Sequence, residues 1–103
     1  GEYARVRGAN QGGEVHHMPA ASVTPYPYRK APGSWMEKRD HRKTASWGNS
    51  KAAEAYRQKQ ADLIKRGKLR QAIQMDIEDL RAKFGKKYDR NIKEMLDEFG
   101  FSE

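Results

Sequence analysis

Cysteine is absent from this 103-residue chain. That excludes disulfide frameworks, thiolate-bound zinc and thiol nucleophiles, and leaves histidine as the nitrogen ligand for any metal. Long apolar runs are missing too: nothing approaches the length of a membrane-crossing helix, and Gly1 to Asn10 has no apolar centre of the kind a signal peptide carries. Acidic charge is in deficit. The 21 Lys and Arg outnumber the 14 Asp and Glu, for a formal charge of +7 and a pI of about 9.8, a balance that favours polyanionic partners such as nucleic acid. A membrane surface fits less well, because no helix pairs a strongly basic face with a broad apolar one. Hydrophobic residues (36%) barely exceed charged ones (34%), so the core must be small, and the length accommodates one domain over residues 1–103. The chain opens on Gly in a Gly-rich stretch, as expected of a piece cut from a longer protein.

Proline, tryptophan and histidine are confined to residues 1–50, and the composition changes sharply near Asn49. From Ser50 onward apolar residues fall at helical spacing. Ser50 can cap a helix whose inner face is Ala53, Tyr56, Gln60, Leu63 and Ile64, stopped at Gly67. A second stripe comprises Leu69, Ile73, Ile77, Leu80 and Phe84, with Asp76, Glu78, Asp79, Arg81 and Lys83 on other faces and Gly85 as the stop. A third begins near Asp89 and carries Ile92, Met95, Leu96 and Phe99 before Gly100. The first half reads as a strand over Glu14 to Met18 and a Pro-rich loop from Ala20 to Gly33. A second strand over Ser34 to Glu37 and a short helix from Asp40 to Trp47 follow. The fold class expected is α+β: a ββα unit over residues 13–48 and about three packed helices over residues 50–103.

His16, His17 and His41 are the only histidines, and this topology puts them at the end of the first strand and the start of the short helix. A helix packed across a hairpin brings its first turn to the strand end. Two imidazoles can then share a divalent ion while the third takes a proton from water attacking a phosphate.

Glu14-Val15-His16-His17-Met18-Pro19, the Pro-rich loop and Asp40-His41-Arg42-Lys43-Thr44 together resemble the HNH/endonuclease VII superfamily. The likeness is to the His-His nuclease toxins that form the C-terminal ends of large bacterial polymorphic toxins, and it covers residues 13–48. It implies His17 as general base and His16 as metal ligand, with His41 completing the metal site, a ββα-metal unit. It further implies an acidic immunity protein as partner and a secreted bacterial effector acting in the target-cell cytoplasm. The family's middle Asn, which orients the base, has no match, because Asn10, Asn49 and Asn91 lie outside the loop. One turn after His41 stand Thr44 and Ala45, so no second imidazole comes from the helix and Asp40 or water is expected to fill the coordination; Glu14, two residues before His16, reads as a solvated strand-edge carboxylate ahead of a third ligand.

Residues 29–43 hold Arg29, Lys30, Lys38, Arg39, Arg42 and Lys43 against Glu37 and Asp40, a local excess of +4. Of these, Arg29, Lys30, Arg42 and Lys43 are the candidate phosphate contacts, which would bind without reading sequence and weaken with salt. Tyr26, Tyr28, Trp35 and Trp47 could stack on bases, but both Trp are expected in the core, since little else in the first half can fill one.

The function expected is metal-dependent hydrolysis of phosphodiester bonds, in DNA rather than RNA and without strong sequence preference, by a toxin used in competition between bacteria. Imidazole ligands suit zinc or nickel, and an oxygen-completed site also accepts magnesium or manganese. Two alternatives remain open: a ribonuclease using the same imidazoles without metal, and a non-enzymatic basic helical module that binds nucleic acid or protein.

Overall fold

The structure is a computed structural model that describes residues 13–27 and 30–101. Strands β1 (Gly13–His17) and β2 (Gly33–Glu37) form an antiparallel hairpin in which Val15 faces Trp35, His16 faces Ser34 and His17 faces Gly33. Two glycines permit this pairing. The Trp35 indole lies over Gly13, where any Cβ would collide with it, and a Cβ on Gly33 would come within 2.8 Å of Val15 Cγ1. Beyond the last pair, Met18 N donates to the Pro32 carbonyl at 3.1 Å.

Four helices follow: α1 (Lys38–His41), α2 (Lys51–Lys65), α3 (Leu69–Phe84) and α4 (Asp89–Glu98). Ser50 caps α2 as expected, its Oγ accepting from Ala53 N at 3.0 Å. The turns after α2, α3 and α4 place Gly67, Gly85 and Gly100 at positive φ, a conformation side-chain-bearing residues rarely adopt. The small α+β architecture expected from the sequence is present, and no helix among the described residues is long and apolar enough to cross a membrane.

Several local expectations require correction. Each strand begins one residue earlier than its sequence signal, and β1 ends at His17, not Met18. The short helix begins at Lys38 instead of Asp40 and ends at His41 instead of Trp47. The cause is competition for backbone groups. Thr44 Oγ1 donates to the His41 carbonyl at 2.7 Å, Ala45 N donates to Asp79 Oδ2 at 2.8 Å, and Arg57 Nη1 donates to the carbonyls of Ser46 and Gly48 at 2.6 and 2.7 Å. Asp79 on α3 and Thr44 thus capture the Ala45 N–H and the His41 carbonyl that a longer α1 would pair with each other, and Arg57 on α2 holds the carbonyls beyond.

The core is built from Met18 and Met36 of the hairpin, Ile73, Ile77 and Leu80 of α3, and Ile92, Met95 and Leu96 of α4. Tyr88 closes it, and Phe84, Phe99 and Phe101 pack at its edge. Flexible methionines fill the hairpin side, so the tryptophans are not needed there: Trp35 is half-buried and Trp47 is 46% exposed. Asp76, placed on a solvated face by its sequence position, is fully buried. Tyr56 Oη and Gln60 Nε2 each donate to it at 2.8 Å. These bonds offset part of the cost of burying the carboxyl between α2 and α3.

Candidate active site

His16 and His17 end β1, and His41 ends α1. All three line one cavity of about 400 Å³, with Ala20 to Ser22 on one wall and Ser46 to Asn49 and Arg57 on another. Strict strand alternation would send the two neighbours to opposite faces. Both are instead buried against this cavity, because the ladder ends at His17 and the chain turns immediately after.

The imidazoles of His16 and His41 have centroids 5.1 Å apart and planes inclined by 59°. His16 Nε2 is buried without a hydrogen-bond partner. Burial first, and then the positive charges of His41, His17 and Lys83, push this ring down to about 3. It therefore stays neutral.

His41 Nδ1 lies 3.0 Å from Glu14 Oε1. Burial acts to raise the Glu14 carboxyl, but the hydrogen bond from His41 and the charges of His41, Arg42 and Lys38 together hold it below the usual carboxylate range. An ionised carboxylate only accepts, so Nδ1 carries the proton and, in the neutral ring, Nε2 is the lone-pair nitrogen. Glu14 is thus an orienting partner and not a merely solvated strand-edge carboxylate. Among the described residues no group of three His, Asp or Glu side chains forms a ready metal-binding set. The residues that could hold a divalent ion here are the two imidazoles of His16 and His41.

Asp40 does not serve this cavity. Its Oδ2 accepts from Tyr88 Oη at 2.6 Å and from Lys87 Nζ at 2.7 Å, bonds that hold it below the usual carboxylate range and tie α1 to the start of α4. The proposed coordination by Asp40 is thereby overturned.

Three of the four candidate phosphate contacts are described, and they do not share one cavity. Arg42 is exposed at the site, 3.6 Å from Glu14 Oε2 and 5.8 Å from the Trp47 ring centroid. Lys43 lines a second cavity of about 510 Å³ with Arg39, Asp40, Lys83 and Phe84, Lys30 is exposed on the loop, and Arg29, like Tyr28, lies outside the described residues.

Sequence reasoning missed Arg57 and set Asn49 aside, yet both reach the histidine cavity. Arg57 carries the stronger functional implication: its Nη1 is engaged by two carbonyls, which fixes a cation at the cavity wall, where an anion would be met by a preorganised guanidinium. Compared with protein-family models, curated proteins and solved structures, the chain has no significant match.

Proposed function

We propose that the domain is a metal-dependent endonuclease that hydrolyses phosphodiester bonds, DNA before RNA, as a toxin of competing bacteria restrained by an acidic immunity protein. The observation that supports it most is the cavity lined together by His16, His17 and His41, beside a buried His16 nitrogen that lacks a hydrogen bond. His16 and His41 would hold one divalent ion, with Glu14 fixing the His41 ring. When bound, such an ion supplies charge stabilisation for the leaving oxygen. His17 takes the proton from the attacking water. Arg42 and Arg57 bind the phosphate and its neighbour, and Lys30 and Lys43 meet the strand farther out.

The test incubates the purified protein with plasmid and with RNA, each with and without divalent ions. The expected result is metal-dependent plasmid cleavage, abolished in His17→Ala while nucleic-acid binding and the melting temperature persist. Unchanged cleavage in His17→Ala removes the reading. Cleavage of RNA that survives chelator and leaves a cyclic phosphate identifies metal-free acid–base catalysis by the same imidazoles instead.

A further inference from the structure

Among the described residues Trp47 is the one large apolar side chain left exposed, at 46%, and it lines the cavity that holds the three histidines. An isolated exposed apolar residue is ordinary on a protein surface, but the backbone carrying this one is fixed on both sides. The carbonyls before and after it, those of Ser46 and Gly48, are both held by Arg57 Nη1, and Trp47 N donates to the Thr44 carbonyl at 3.2 Å. The ring is thus presented from a clamped turn, and binding against it needs little further ordering of the turn.

The surroundings select what binds. Arg42 lies 5.8 Å from the ring centroid, and Arg57, Ser46, Asn49 and the imidazoles share the cavity. Besides Trp47 the apolar side chains of the cavity are small, Val15, Ala20 and Ala21, and leave the cationic and polar groups unmatched by an apolar protein anchor. A nucleotide carries both matching features, a π face for the indole and a phosphate for the guanidinium groups. A base inside a duplex has both faces covered by its neighbours and cannot offer one.

We propose that Trp47 is a base-stacking platform, so that the site takes a strand with an unpaired base beside the phosphate to be cleaved. This rests on the nuclease reading above and narrows its substrate to single-stranded or locally opened nucleic acid.

The test compares wild type, Trp47→Ala and Trp47→Phe, in chelator to prevent cleavage. Each is titrated into a fluorescein-labelled thymidine oligonucleotide and into a strand of the same length and charge made of abasic sugar phosphates. Trp47→Ala should weaken binding to the thymidine strand by about tenfold and leave the abasic strand unaffected, while Trp47→Phe retains most of the affinity. With divalent ions added, wild type should cut a single strand faster than the blunt duplex, and Trp47→Ala should lose that preference. Equal weakening for both strands would show that Trp47 serves only charge placement or local structure, and no weakening would leave it to another partner such as a protein. Either result overturns the stacking role while the nuclease reading stands. Failure of the wild-type protein to cleave any nucleic acid removes both.

Discussion

Glu14 and His41, 27 positions apart in the chain, meet at 3.0 Å between Oε1 and Nδ1. The carboxylate fixes both the tautomer and the direction of the imidazole, and it does so from the strand that carries the other two histidines. Glu14→Gln keeps the shape but presents a neutral partner. Under the metal-dependent reading, cleavage should fall by about 10- to 100-fold with more divalent ion needed for half-maximal rate. A rate profile against metal concentration checks this. The stabilisation of wild type by added ion, read as a rise in melting temperature, should shrink in the same variant and vanish in His16→Ala.

Arg57 joins α2 to the turn after α1 through two carbonyls. Arg57→Ala strands both acceptors and should destabilise the fold by about 2 kcal/mol, measured by urea unfolding. Arg57→Lys keeps the charge without the planar fork and should fall between the two in stability. At a temperature where all three remain folded, nucleic-acid affinity should follow the charge: Lys near wild type, Ala weaker.

Burial pushes the Asp76 carboxyl up to about 7, the hydrogen bonds from Tyr56 and Gln60 offsetting it only in part. In the unfolded chain the same group titrates near its ordinary value of 3.8. Between the two values the folded state holds a proton that the unfolded state has lost, so raising the pH favours unfolding. The slope approaches about 1.4 kcal/mol per pH unit. The contribution is fully present below the unfolded value, declines as pH rises toward 7 and is constant above. Urea midpoints of wild type and Asp76→Asn across that range should therefore diverge with a pH-dependent difference that flattens above pH 7. A constant difference at every pH would contradict the assignment.

Tyr88 both accepts from Glu37 N at 3.2 Å and donates to Asp40 at 2.6 Å. Tyr88→Phe leaves the first group without its acceptor and removes a donor from the second, at a cost of about 1–3 kcal/mol. Hydrogen bonds from Lys87 and then Tyr88 hold Asp40 below the usual carboxylate range. The stability from this contact is therefore present above the unfolded carboxylate pKa and lost as pH falls below it. Thermal melts through the acid range should show a smaller acid-induced loss in Tyr88→Phe than in wild type.

What the sequence made legible was local. Ser50 and the glycines at 67, 85 and 100 announced helix ends because capping and positive φ are properties of single residues. The stripe from Leu69 to Phe84 announced α3 because a buried face repeats with the helix. The meeting of the histidines followed from topology, since a helix laid on a hairpin brings those positions close. What stayed hidden depended on distant partners. Asp76 reads as polar surface until Tyr56 and Gln60, 20 and 16 positions away, are seen to donate to it. The short α1 is equally invisible from its own residues, because Asp79 on α3 takes the Ala45 N–H that the next turn of the helix would use. Volume alone places Trp47 in the core, a space that Met18 and Met36 fill instead.

The reach of Arg57 from α2 back to Ser46 and Gly48 has a practical corollary for engineering. The segment spanning residues 13–48 is not a portable module. Grafted onto another scaffold, it would arrive with its histidines but without the crossbar that holds one rim of their pocket, and any transplant must bring at least the first turns of α2 along.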